Sequence, residues 1–89
     1  MTSIIPDDDP DKCYICGAWN PTDVHHMVFG RFRKMSDKYG LTVHLCRSCH
    51  RELHDHGTCR DLLIRIAQKE FEKRYSHDLW MQEFGKNFL

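Results

Sequence analysis

Two cysteine pairs with C-x-x-C spacing carry the strongest chemical signal in the chain. They are Cys13 with Cys16, and Cys46 with Cys49. Two intervening residues let both thiolates of a pair reach one ion across a tight turn, and four thiolates make the usual tetrahedral zinc site. The 29 residues between Cys16 and Cys46 leave room for a hairpin and a loop between the pairs. We therefore predict one structural Zn²⁺ ion held by these four cysteines.

Other uses of the cysteines fit the sequence less well. Disulfides require an oxidising compartment, and the first residues have neither the basic start nor the apolar stretch of a signal peptide. The run Cys46-Arg-Ser-Cys49-His50 matches the attachment pattern of c-type haem, but haem would leave the first cysteine pair without a role. We therefore predict no haem. Cys59 lies outside both pairs and is expected to be a buried or idle thiol.

Four of the seven histidines are spaced to form a second site beside the zinc. His50 and His54 are four residues apart on a predicted helix, so they face the same way. His50 follows the zinc ligand Cys49 by about 100° around the helix, so it points away from the zinc. His25 and His26 end a predicted strand that the zinc clasp folds back onto this helix. Two histidines from a hairpin should therefore lie opposite two from a helix.

Apolar alternation and turn residues predict the hairpin that carries the first histidine pair. A strand over residues 22–29 is followed by a basic loop over 30–40, with a helical turn at 32–35. A second strand covers residues 41–45, where apolar and polar residues alternate.

Caps and apolar periodicity predict three helices after the hairpin. The first begins near Cys46 and ends at Gly57. The second runs from its N-cap, Thr58, to Tyr75. The third spans 76–85, from a serine cap to a terminal glycine. The residues expected on the buried face of the second helix are Leu62, Leu63, Ile66, Ala67, Phe71 and Tyr75.

Length and charge limit the class of protein. A chain of 89 residues indicates one domain whose core is marginal without a metal or another staple. The formal charge is zero, but the stretch from His25 to Arg51 contains six lysines and arginines and a single acid, Asp37. Such a basic surface suits a polyanion, although a solvated face is the alternative interpretation. No apolar run reaches membrane-spanning length, so we expect a cytoplasmic protein with no membrane partner.

Two stretches of this sequence together resemble the HNH endonucleases. They are Asp23-Val-His25-His26-Met27 and Leu45-Cys46-Arg-Ser-Cys49-His50-Arg-Glu-Leu-His54. The resemblance covers about half the chain, and the basic loop and the tail Phe84-Gly-Lys-Asn-Phe-Leu also look like small phage or prophage members. It implies an α+β, ββα-metal fold with a treble-clef-like zinc clasp. It also implies hydrolysis of DNA phosphodiester bonds to 5′-phosphate and 3′-hydroxyl ends.

Composition, caps and the extent of the motifs predict three segments along the chain. Residues 1–12 are a flexible acidic segment, residues 13–57 are the zinc-clasped finger, and residues 58–89 are a helical extension packed on the finger. All three belong to a single domain overall.

The resemblance assigns a role to each histidine of the predicted second site. His26 is the general base that takes a proton from water, which imidazole can do near neutral pH. His25, His50 and His54 hold a divalent ion that stabilises charge on the phosphate and the leaving oxygen. Three imidazoles suit Zn²⁺, Ni²⁺ or Mn²⁺ better than Mg²⁺, and Asp23 or Asp55 could add an oxygen ligand. The residues implied to hold backbone phosphates are Arg31, Arg33, Lys34, Arg47 and Arg51.

Besides its three imidazole ligands, the chain departs from the family pattern at two points. Leu41 occupies the usual position of an asparagine that braces the base-bearing loop, and His44 or Asn20 could take its place. His25 and His26 are adjacent, so both can serve one site only if the strand bulges or ends there. The alternative function is therefore a zinc-stapled module that binds nucleic acid or a protein partner, with weak cleavage or none.

Overall fold

A short hairpin carries the first histidine pair. The computed structural model describes residues 3–19 and 21–89, so Asn20 lies outside the described residues. Strands β1 (Thr22–His26) and β2 (Thr42–Cys46) pair antiparallel, with His26 opposite Thr42. The strand predicted to reach residue 29 ends earlier because the backbone of Val28 bonds to the side chain of Ser36 instead of to a strand.

The loop between the strands contains more helix than the sequence indicated. A 3-10 turn at Gly30–Phe32 leads into helix α1 (Arg33–Tyr39), which replaces the single helical turn predicted at 32–35. Ser36 is fully buried and its hydroxyl donates to the carbonyl of Val28, so the helix is fixed to the chain that leaves β1. Gly40 ends α1 in the left-handed conformation, which glycine adopts without steric cost.

Helix α2 (Arg47–His56) follows β2 directly and ends where it was predicted to end. Gly57 adopts φ +72° and its N–H donates to the carbonyl of Leu53 at 2.9 Å, a left-handed cap. Helix α4 (His77–Phe84) is also as predicted, because the Ser76 hydroxyl accepts the N–H of Leu79 at 3.0 Å.

Helix α3 (Arg60–Arg74) begins differently from the prediction. Its N-cap is Cys59, at φ +62°, and no side chain caps the helix. The prediction that Thr58 caps this helix was wrong, because the Thr58 hydroxyl donates to the Glu52 carboxylate at 3.5 Å instead. Two residues expected on the buried face, Leu62 and Tyr75, are half exposed, at 55% and 49%. The buried face is therefore turned around the helix axis from the predicted one. Its residues are Leu63, Ile64, Ala67, Gln68 and Phe71.

The acidic N-terminal segment, predicted to be flexible, lies along β2. Ile4 N donates to the carbonyl of Gly40 at 2.9 Å, and Ile5 is buried in the core. Asp8 accepts from both the backbone and the ring of His44, each at 2.8 Å. These contacts cover the edge of β2 that does not pair with β1, so its backbone groups are not left open to pairing with another chain.

One apolar cluster joins these parts. It draws Met27, Leu41, Val43 and Leu45 from the hairpin and its flanks, Leu53 from α2, and the buried faces of α3 and α4. Aromatic rings connect the last two helices to the rest, with Tyr39 and Phe71 centred 4.9 Å apart and Phe32 and Phe84 5.6 Å apart. Among the described residues, no helix combines the length and the apolar composition needed to cross a membrane.

Candidate metal centres

The four predicted zinc ligands meet in one place. The sulfur atoms of Cys13, Cys16, Cys46 and Cys49 all lie within 4.8 Å of one another, and those of Cys16 and Cys46 are 3.8 Å apart. Four thiolates about 2.3 Å from a central ion lie about 3.8 Å from each other in a tetrahedron. The cluster can therefore hold a metal ion such as Zn²⁺.

Two different local structures supply these sulfurs. In the first pair the backbone folds into a tight knuckle, in which Gly17 at φ +77° donates its N–H to the carbonyl of Cys13 at 2.9 Å. The second pair spans the junction of β2 and α2, because Cys46 ends the strand and Cys49 lies in the first helical turn. An ion bound here would therefore join the knuckle to the start of α2.

The cysteine cluster also favours an anionic sulfur. Burial acts to raise the pKa of Cys13, but N–H groups of Cys16, Cys46 and Ile15 directed at the sulfur outweigh it and lower the pKa to about 6. Burial and the neighbouring sulfurs raise the pKa of Cys49. Four clustered thiols cannot all ionise without a cation among them, which is the electrostatic situation that a divalent ion relieves.

A second cluster joins the hairpin to α2, and it consists of three histidines. One ring nitrogen each of His25, His50 and His54 lies within 4.8 Å of the others. The Nε2 atoms of His50 and His54 are 3.1 Å apart. Ligands about 2.1 Å from one ion are about 3.0–3.4 Å apart, so this spacing fits two imidazoles directed at a common metal.

His25 provides the clearest observation in this cluster. Its side chain is 1% exposed, and neither ring nitrogen has a hydrogen-bond partner among the described residues. A hydrogen bond between His50 and His54 would satisfy those two rings and still leave His25 unpartnered. Burial, followed by repulsion from His50, His54 and His26, lowers the pKa of His25 to about 4. The imidazole is thus neutral at neutral pH and keeps a lone pair for a metal ion.

The two acidic residues that could add an oxygen ligand, Asp23 and Asp55, are not members of the histidine cluster. The Nδ1 atom of His50 is 3.6 Å from a carboxylate oxygen of Asp23, so the opposite ring nitrogen, Nε2, is the one that faces His54. A carboxylate behind a ligating histidine orients the ring and raises its basicity. Asp55, the other predicted oxygen ligand, is exposed and does not belong to the cluster.

His26 lies at the rim of the same site. It lines a cavity together with His25, His50 and His54, and also with Phe29 and Arg33. Adjacent residues of a continuous strand would face opposite sides, but β1 ends at His26, which meets the condition set by the sequence. The Nε2 atom of His26 is 2.7 Å from a carboxylate oxygen of Asp37 in α1.

The predicted phosphate-binding residues are only partly gathered at the cavity. Arg33 lines it. Arg31 instead lies over the ring of Phe32, 4.8 Å from its centre, and faces a neighbouring groove. The remaining three, Lys34, Arg47 and Arg51, are exposed on α1 and α2.

Leu41, at the usual position of the asparagine, is fully buried in the core. Of the two residues weighed to take the place of the asparagine, His44 is engaged elsewhere, because its ring is bonded to Asp8. The other, Asn20, lies outside the described residues. Sequence reasoning missed Asp37, although one signal was available: it is the only acid between His25 and Arg51.

Comparisons of the chain with protein-family models, with curated proteins and with solved structures find no match.

Proposed function

We propose that this chain is a metal-dependent endonuclease of the HNH type, which hydrolyses phosphodiester bonds of DNA. The observation that carries the proposal is the cavity in which three imidazoles converge and a fourth, His26, lines the rim. A structural zinc ion would need only the four cysteines. A buried histidine with both nitrogens unpartnered has no use in a purely structural module, because it costs free energy unless it binds something.

In this proposal β1, β2 and α2 form a ββα-metal finger with a treble-clef-like zinc clasp. Its support is the junction of β2 with α2, where Cys46 and Cys49 are followed directly by His50. A zinc ion bound to these cysteines fixes the helix whose next residues belong to the second cluster. The zinc is then both a staple for a small core and a means of positioning His50 and His54.

A divalent ion held by His25, His50 and His54 would supply positive charge to the scissile phosphate and to the leaving oxygen. The chain provides the remaining steps. His26 accepts a proton from the attacking water. At the same time the oxygen of that water bonds to phosphorus, and the bond between phosphorus and the 3′ oxygen breaks. The 3′ oxygen takes a proton from solvent, which leaves 3′-hydroxyl and 5′-phosphate ends. Arg33, at the cavity wall, binds a non-bridging phosphate oxygen.

The exposed cations outside the cavity would hold the flanking DNA. Arg31, Lys34, Arg47 and Arg51 are on the surface of the 3-10 turn, α1 and α2. Contacts of this kind orient the backbone without reading its sequence, and they weaken steeply as salt rises.

The proposal is tested with plasmid DNA and zinc-loaded protein, to which Mn²⁺, Ni²⁺, Mg²⁺ or further Zn²⁺ is added. We expect nicking or linearisation with at least one ion, and loss of cleavage in His26→Ala and His50→Ala. The matched control is His56→Ala, because His56 is exposed on the same helix and belongs to neither cluster. Cleavage that persists in His26→Ala, or that never occurs with any ion, would overturn the proposal.

A binding module without cleavage is the second candidate, and the burial of Leu41 favours it, because no asparagine side chain occupies that position. This candidate predicts a salt-dependent gel shift of DNA with no strand breaks under any metal. Neutralising Arg31, Arg33 and Lys34 together should then abolish the shift. An unchanged shift in that triple variant would rule out the basic segment as the DNA-binding surface.

A further inference from the structure

We propose that Asp37 is the positioning residue for His26. Its carboxylate accepts the hydrogen of His26 Nε2 and so leaves the lone pair on Nδ1, the atom that takes the proton from water. This inference rests on the proposed function, since it gives the general base its orientation. It assigns a role to the one acidic side chain in an otherwise basic segment.

The geometry of the pair supports this role. The Nε2 atom of His26 and the Oδ1 atom of Asp37 are 2.7 Å apart, a short hydrogen bond with a charged acceptor. A carboxylate can only accept, so the hydrogen of a neutral ring must lie on Nε2. Within the described residues no protein atom is bonded to Nδ1 of His26. The bond therefore selects one tautomer and leaves the other nitrogen free to act as a base.

Asp37 is held in place by its own helix. The preceding residue, Ser36, is fully buried and its hydroxyl bonds to both backbone groups of Val28. The carbonyl of Asp37 accepts the N–H of Gly40 at 3.3 Å, and the carbonyl of Ser36 accepts the N–H of Leu41 at 2.8 Å. The backbone that carries the Asp37 carboxylate is therefore fixed in position, although the side chain itself is 60% exposed.

A purely electrostatic role for Asp37 makes the opposite prediction. An acid on a DNA-binding surface repels phosphate, so removing it should tighten DNA binding and leave or improve the rate. Removal of a residue that orients the base should instead slow the chemical step without weakening the binding of DNA. The two roles are therefore separated by measuring the rate at saturating DNA and the Kd independently.

The first test reads the ring directly, without cleavage. Long-range ¹H–¹⁵N spectra of the full chain, with Zn²⁺ in both sites, report which nitrogen of His26 carries the hydrogen. We expect a single Nε2–H tautomer in the wild type and a mixture of tautomers in Asp37→Ala. Asp61→Asn is the control, because that acid is exposed and its carboxylate lies 3.6 Å from Arg60, outside the cavity that His26 lines. A wild-type ring with its hydrogen on Nδ1, or the same tautomer in Asp37→Ala, would overturn the inference.

The second test measures single-turnover cleavage. Asp37→Ala should lower the rate at saturating DNA ~10–100-fold, by analogy with the loss of a carboxylate that orients a metal-ligating histidine, with Kd unchanged or lower. Asp37→Asn keeps an acceptor oxygen and should recover part of the rate, and it serves in place of alanine should that variant lose its fold. An undiminished rate in Asp37→Ala, or a loss seen only in Kd, would contradict the inference.

The two tests separate this inference from the proposed function. A wild-type protein that cleaves no DNA with any ion would overturn the nuclease proposal, and with it the role of His26 as a base. The tautomer experiment would then still decide whether Asp37 orients the ring. Conversely, cleavage that survives in Asp37→Ala but not in His26→Ala would leave the nuclease proposal standing and remove Asp37 from it.

Discussion

Two histidines of the hairpin are enclosed by the protein in different ways. The ring of His44 is bonded to Asp8, whose side chain is only 6% exposed, so both groups are satisfied. The ring of His25 is more deeply enclosed, and neither of its nitrogens has a hydrogen-bond partner in the part of the chain that the structure describes. Burying a polar group without a hydrogen bond costs free energy, and an ion in the second site would compensate for it. The difference separates a structural histidine from a candidate ligand.

This contrast predicts stability changes of opposite sign. In protein loaded with one equivalent of zinc, His25→Leu should raise the free energy of unfolding by about 1 kcal/mol, because an unpaired polar group is removed. His44→Leu should lower it by about 1–3 kcal/mol, because the Asp8 carboxylate loses its bond to the ring and keeps only the bond to the backbone of residue 44. Urea unfolding followed by circular dichroism gives both values. The prediction fails if His25→Leu destabilises the protein, or if that variant still binds a second divalent ion.

Asp23 acts on the second cluster through His50. The carboxylate lies 3.6 Å from Nδ1, beyond hydrogen-bond distance, but on the side of the ring where its charge would favour a hydrogen on that nitrogen. Asp23→Ala should therefore weaken the second ion about 10-fold while the first zinc is retained. Titration calorimetry with Ni²⁺ on zinc-loaded protein measures the change. Asp55→Ala is the control, and an equal loss in both variants would indicate a general charge effect instead.

At the scale of elements, α1 links the core to the rim of the cavity. It packs through Ser36 on the chain after β1, and it carries Arg33 and Asp37 on the side of His26. An element that was expected to be mostly loop thus holds two of the side chains on which the proposed chemistry depends.

Ser36→Ala tests whether that helix is held by its buried hydroxyl. The substitution leaves the N–H and the carbonyl of Val28 without this partner, so we expect the free energy of unfolding to fall by about 2 kcal/mol. Denaturant unfolding is the measurement, with Ser48→Ala, an exposed serine of α2, as the control. Equal stability of the two variants would show that α1 is held by its apolar contacts alone.

Some of these elements follow from local sequence and others do not. The ends of α2 and α4 were predicted because Gly57, Ser76 and Gly85 act through their own backbone or side chain. The clustering of the cysteines and of three histidines followed from spacing on a hairpin and a helix.

The features that were missed depend on tertiary contacts. The packing of Asp8 and Ile5 on the hairpin could not be read from an acidic, proline-broken segment. The bond between His26 and Asp37 depends on how α1 packs against the chain after β1, which no local pattern encodes. The start of α3 at Arg60 likewise depends on the backbone, where the N–H of Arg60 donates to the carbonyl of Gly57 at 3.1 Å, and on no side-chain bond from its N-cap, Cys59.

At the scale of the whole molecule, one core supports both candidate metal centres. Leu53 from α2 packs in the same cluster as Phe71 and Trp80 from the last helices. Gln68, also buried, bonds to Asn87 and to the N–H of Phe88, so the C-terminal tail is tied to α3. The core therefore spans the chain from Ile5 to Phe84, and it includes Cys13 and Cys46 of the sulfur cluster.

Removing the zinc should consequently act through folding. Bound only to the native arrangement of Cys13, Cys16, Cys46 and Cys49, the ion adds its binding free energy to that of folding, and a chain of this size has little other reserve. We expect a strong chelator, or Cys46→Ser, to abolish the cooperative thermal transition and any cleavage together, and zinc to restore both in the wild type.

Cys59→Ser, which changes the one cysteine outside the cluster, should leave the zinc content and the Tm unchanged. If chelated protein kept its native circular dichroism and stayed inactive after the second ion was restored, the zinc would be acting in the chemistry. A chelated protein that stayed folded and cleaved DNA would make the cysteine cluster dispensable.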